Sequence, residues 1–212
     1  ERAFAPILLI SSSPMIIVGS PKIPATNFKE LIAYAKSNPG KLNASTVGPG
    51  SHAHITLELL NKLAGTEMLA VAYKAPAQQF QDVLEGRISA IITSPPTVDA
   101  LMKAGKLRVL AVDGSKRFPL WPDVPNISET FPAFRLSGTG LLAAPRGTPE
   151  PVIRAANAAM NRILTDKSYQ AALLQMGFTI DGAGTPESIR ALMRERAEYW
   201  QKVFTGLNVK PE

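Results

Sequence analysis

Two glycines, a serine and two histidines fall close together in the stretch NASTVGPGSHAHITLELL, residues 43–60. Gly48 and Gly50 flank Pro49, so the backbone there can take positive φ and lie close to a ligand. Ser51 precedes an apolar-periodic run, and the first turn of the helix it opens has N–H groups without intrahelical partners and a partial positive charge. That chemistry suits a carboxylate. A plain strand-to-helix turn capped by Ser51 accounts for the same residues, and both readings stand at this point. His52 and His54 are two apart, so on a helix they point roughly 200° from each other. No third metal ligand accompanies them, and a metal site is not expected. Hydrogen bonding or ring packing suits His52 better.

Other polar side chains sit where strands are expected to end. Tyr73 and Lys74 in AYKAPAQ close one apolar run, and Thr93 and Ser94 in ITSPP close another. The carboxyl ends of strands are where open α/β sheets bind ligands. Packing of Tyr73, solvation of Lys74 and a helix start at Ser94 explain these residues equally well. Catalysis has little support. There is no G-x-S-x-G elbow, no phosphate-binding loop and no G-x-G-x-x-G fingerprint after a strand. The two histidines are the sole candidates for a base at neutral pH. The sequence reads as a binding protein rather than an enzyme, with no cofactor.

These residues need a scaffold, and the apolar patterning supplies one. Short branched runs at Pro6–Ile10 and Met15–Gly19, and then LNAST, MLAVAY, ISAIIT and LRVLAV, read as buried strands. Helices are expected between them: one capped by Asn27 and stopped at Pro39-Gly40, one over Ser51–Leu63 closed by Gly65, one near Ala77–Leu84 and one over Thr97–Lys103. That alternation implies parallel strands joined by helical crossovers. Residues 113–140 carry several prolines and little periodicity, and read as a long irregular connection. Beyond them Thr148-Pro149-Glu150, Thr165 or Asp166, and Thr185-Pro186-Glu187 open three helices, with FTI (residues 178–180) as a short strand. Three helices beside so little strand lack a sheet to pack on.

Composition narrows the class. With 45% apolar and 19% charged residues the chain reads as globular, and no apolar run is long enough for a membrane span. No secretory signal is visible, and a chain opening on Glu1-Arg2 is expected to be processed or a fragment. Without cysteine there are no disulfides or thiolates. The net charge of +6 is spread out. Its densest cluster, RALMRER, alternates with apolar residues as a solvated helix face does, so nucleic acid is not an expected partner.

Several segments carry a resemblance. FKELIAYAKSNPGKLNAST, GSHAHITLELLNKLAG, AYKAPAQQFQDVLEGRISAI, AGKLRVLAV and LWPDVP occur in an order and spacing similar to the Bug-type, TctC-like substrate-binding proteins of tripartite tricarboxylate transporters. The resemblance covers essentially the whole chain and implies an α/β, periplasmic-binding-protein-like (type II) two-lobed fold with open mixed or parallel sheets. It also implies a monomeric periplasmic receptor that captures a small carboxylate in a cleft and hands it to membrane permease subunits. Family members extend further at the N-terminus, where a glycine-rich loop supplies half of the carboxylate site. On this reading residues 12–136 form a nearly complete lobe. Residues 1–11 and 137–212 supply hinge strands and helices of a partial one. The loop with Gly48, Gly50, Ser51 and His52 faces the cleft with Tyr73, Thr93 and Ser94, while Ser12 lies at a crossing between lobes. The ligand-sensing domain of a cytoplasmic transcription regulator, which can share this architecture, is the alternative.

Overall fold

The computed structural model describes residues 3–114, 116–180 and 184–207. In chain order the elements are β1 (Phe4–Ser13), β2 (Ile16–Gly19), α1 (Phe28–Ser37), β3 (Asn43–Thr46) and α2 (His52–Ala64). There follow β4 (Leu69–Ala72), α3 (Pro76–Glu85), β5 (Ala90–Thr93), a 3-10 turn at Pro95–Thr97, α4 (Asp99–Lys103) and β6 (Arg108–Val112). The chain continues with α5 (Ile127–Thr130), β7 (Gly138–Pro145), α6 (Glu150–Leu164), α7 (Lys167–Gln175) and α8 (Pro186–Leu207). The described residues divide into two compact units, residues 3–13 with 138–206, and residues 14–137.

Residues 14–137 build a five-stranded sheet in the order β4-β3-β5-β2-β6. β2 and β5, in the middle of the sheet, are nearly all buried, as strands covered on both faces should be. The signals at Asn27 and Gly65 act as expected, whereas Thr148 does not cap its helix and the helix expected from Thr97 begins at Asp99. The Asn27 side chain accepts from the Glu30 amide at 2.9 Å to cap α1. At the other end of α2, Gly65 takes the left-handed conformation at φ 64°. Phe28 on α1 meets Phe131 edge-on, with ring centroids 6.2 Å apart.

The strands depart from an all-parallel series at one place. β3 runs parallel to β4 and β5, whereas β2 is antiparallel to both of its neighbours, β5 and β6. The apolar run of a doubly covered strand is the same in either direction. Direction resides in the connections, and here residues 20–26 stay beside Lys106–Arg108, at the edge of the sheet where β2 ends. With β2 reversed, β3, β4, β5 and β6 all end at the same edge of the sheet.

The proline-rich connection contains α5, which periodicity missed because it is a single turn. A reciprocal pair of bonds makes it: the Asn126 amide donates to Glu129 Oε1 at 2.9 Å, and the Glu129 amide donates to the Asn126 backbone carbonyl at 3.1 Å. Arg117 grips the Glu129 carboxylate with two donors, Nε at 2.9 Å and a terminal nitrogen at 2.7 Å.

In the other unit β1 and β7 pair antiparallel, setting Ser12 opposite Thr139 and Ser13 opposite Gly138. α6 packs on β1 around Ile7, Leu8, Ile153 and Leu164. The buried Asn157 side chain ties α6 down, donating to the Ile7 carbonyl at 2.7 Å and the Gly184 carbonyl at 2.8 Å. Rather than a strand, residues 178–180 contribute one bridge, between Thr179 and Ser12. Two strands support three helices among the described residues, and Phe4, Val152 and Met176 are exposed.

The Arg117–Glu129 clip predicts an acid-dependent loss of stability. Its two guanidinium bonds, then the Asn126 amide, hold the Glu129 carboxyl down at about 2 from an ordinary 4.5. A depressed pKa contributes stability above the unfolded value and loses it as pH falls toward the folded one. Between pH 4.5 and pH 2 the thermal midpoint of Glu129→Gln should therefore fall less steeply than that of the parent, as followed by circular dichroism.

Candidate functional site

The Thr46–His54 loop is closed by local hydrogen bonds. Gly48 and Gly50 have φ of 125° and 74°, values that only glycine adopts without strain. This puts the Gly48 carbonyl where the Ser51 hydroxyl donates to it at 2.7 Å, while the same hydroxyl accepts from the His54 amide at 3.2 Å and caps α2. The Gly48 amide donates to Thr46 Oγ1 and the Gly50 amide to His54 Nδ1, both at 3.3 Å. Those two bonds are long for N–H donors, so an anion offering shorter ones competes well.

His54 therefore holds the loop from within, with its other ring nitrogen 3.9 Å from Glu58. His52 points elsewhere. Its Nε2 lies 4.0 Å from the carboxylate of Asp113, and its ring hydrogen-bonds the Leu136 backbone carbonyl. Burial pushes the imidazole below its ordinary value, and the Leu136 bond opposes that. Among the described residues no group of three His, Asp or Glu side chains could hold a metal ion.

Tyr73, Thr93 and Ser94 stand at the same sheet edge, because β4 and β5 end there alongside β3. The Tyr73 amide donates to the Thr46 carbonyl at 2.9 Å. Its phenol is engaged, donating to Asp82 Oδ2 at 2.6 Å, while Asp82 Oδ1 accepts from Arg87 at 2.7 Å. Burial and then the Asp82 bond push the phenol up to about 12, so it stays a neutral donor. Thr93 Oγ1 is 2.9 Å from Thr97 Oγ1, and Thr97 in turn donates to the Ser94 carbonyl at 2.6 Å. Ser12 belongs to the other unit, where it is buried on β1 with its amide donating to the Thr179 carbonyl at 2.7 Å.

Asp113 and Leu136 are additions that sequence reasoning did not reach. Asp113 follows β6 as Ser94 follows β5, and that position was the available signal. Leu136 acts through its carbonyl, which no side-chain pattern reveals.

An open α/β sheet whose polar loops gather at the carboxyl ends of its strands is the layout of a small-molecule binding unit. The comparisons narrow this. The chain belongs to the family described as tripartite tricarboxylate transporter family receptor, matched over residues 1–208. A UPF0065 protein from the tcbD-tcbE intergenic region of Pseudomonas sp. (strain P51) is 31% identical over 206 residues, covering 96% of this chain and 61% of that protein. The chain thus spans about six tenths of the length of such curated relatives. A solved structure from R. palustris, described with adipate, superposes with a TM-score of 0.80 at 29% identity over 99% of this chain and 70% of that one. MatC from Rhodopseudomonas palustris, described with bound malate, gives 0.71 at 26% identity over 94% and 69%. No helix among the described residues is long and apolar enough to cross a membrane.

Ser51→Ala removes both bonds of the hydroxyl. Chemical denaturation should show a loss of about 1 kcal/mol, the usual cost of an N-cap, with Ser51→Asn recovering most of it.

Proposed function

We propose that this protein is the solute-binding receptor of a tripartite uptake system, capturing a small carboxylate and presenting it to membrane permease subunits. A receptor of this kind meets its solute before the permease does, so its compartment is the periplasm. The observation that carries the reading is the loop from Gly48 to His52, closed by weak amide bonds at the head of a 13-residue helix, in a member of a receptor family. Relatives described with adipate and with malate make dicarboxylates the first ligands to try.

The loop offers the Gly48, Gly50 and His52 amides to one carboxylate; the Ser51 hydroxyl reaches the anion only by leaving the Gly48 carbonyl. Tyr73, Thr93 and Ser94 are the further candidate contacts. A hydrogen bond to a charged group contributes about 1.5–3 kcal/mol, and helix-end electrostatics about 0.3–2 kcal/mol. Two or three such bonds supply much of the ~8 kcal/mol that micromolar capture requires. No bond in the ligand is broken, and the ligand acts by its greater affinity for one conformation of its receptor.

Ser51→Asp sets a fixed negative charge where the ligand carboxylate belongs, yet Asp is a competent cap. In the full-length protein it should weaken binding at least tenfold, read by calorimetry against a panel of mono- and dicarboxylates, with the melting temperature little changed. Equal affinity in parent and variant would reduce the loop to a turn.

A further inference from the structure

Asp113 is 1% exposed, against 9% for Asp82, the next most buried carboxylate among the described residues. It lies at the end of β6, well across the sheet from the β3 that leads into His52. The two side chains still approach to 4.0 Å, so the first turn of α2 reaches past the end of β5 and the start of β2. His52 is thus approached by three elements: its own helix, the end of β6 through Asp113, and the segment after α5 through the Leu136 carbonyl. Arg135, beside Leu136, is exposed. On α2 itself, His54 turns to Gly50 and Glu58. The carboxylate that faces the ring is Asp113.

We propose that Asp113 is a positioning residue that acts through His52 to make carboxylate capture proton-coupled, the imidazole taking one proton from solvent as the anion binds. This rests on the loop reading above. At 4.0 Å the pair is beyond hydrogen-bond distance. Burial favours the uncharged ring. An incoming carboxylate raises the proton affinity of a nearby base, and an ionised Asp113 carboxyl 4.0 Å from the ring would act in the same direction. The added proton forms an N–H bond at Nε2, and no ligand bond changes. The imidazolium then closes on Asp113 and adds a positive charge to the first turn of α2, whose amides receive the anion. In Asp113→Asn the ring loses that support and stays neutral.

The test is calorimetry of the full-length protein at pH 7 with malate and adipate as probes, in two buffers of very different ionisation enthalpy, such as PIPES and Tris. The observed enthalpy of the parent should differ between buffers by an amount corresponding to uptake of up to one proton per ligand. Its affinity should rise as pH falls from 8 to 6. Asp113→Asn and His52→Gln should bind with no buffer dependence and a flat pH profile. His52→Gln carries the test alone if the Asp113→Asn variant fails to fold by circular dichroism. Identical enthalpies for the parent in both buffers, or uptake that survives either substitution, would overturn the coupling while leaving carboxylate capture intact. A Ser51→Asp protein that binds like the parent would instead remove the loop reading itself.

Discussion

The hydroxyl of Ser51 donates to the Gly48 carbonyl and accepts from the His54 amide, so one oxygen both closes a loop and starts a helix. The loop can close only because Gly48 and Gly50 take positive φ. The helix start is stabilised because the hydroxyl replaces a backbone partner that its first turn lacks. Everything proposed for the site follows from this atom. It holds the Gly48 carbonyl against the first turn of the helix and marks where that helix begins.

The sheet turns that local arrangement into a shared edge. Reversal of β2 brings the four other strands of residues 14–137 to an end on one side, so the Gly48 loop, Tyr73, Thr93 and Asp113 become neighbours in layout though far apart in sequence. The segment that supplies the Leu136 carbonyl is fixed at its start by the Arg117–Glu129 clip and by the bridge between Val112 and Asn126. A surface ion pair contributes little by itself. This one also holds the Glu129 carboxylate on the Asn126 amide, at the point where the last stretch of the connection begins.

Much of this was legible in the residues. Asn27, Ser51 and Gly65 mark helix ends by mechanisms that depend on their own side chains or on the lack of one, and the structure uses each accordingly. Strand direction at β2 was not legible, since a buried apolar run carries no arrow. The single turn of α5 was too short for periodicity, although Asn126 and Glu129 stood three apart as a capping box requires. For the candidate site, residues contiguous in sequence were readable together. The meeting of His52 with Asp113 and Leu136 depends on the first turn of α2 reaching past the end of β5 and the start of β2, which local pattern does not encode. The engagement of the Tyr73 phenol with Asp82 likewise required the turn between β4 and α3 to be seen.

The most direct test of the account is whether the loop amides themselves receive the anion. In backbone ¹⁵N–¹H spectra of the full-length protein titrated with malate or adipate, the Gly48, Gly50 and His52 amide protons should move downfield and saturate at one common ligand concentration, as N–H groups do on bonding to a carboxylate. Saturable binding that leaves those three resonances in place while shifting others would contradict it.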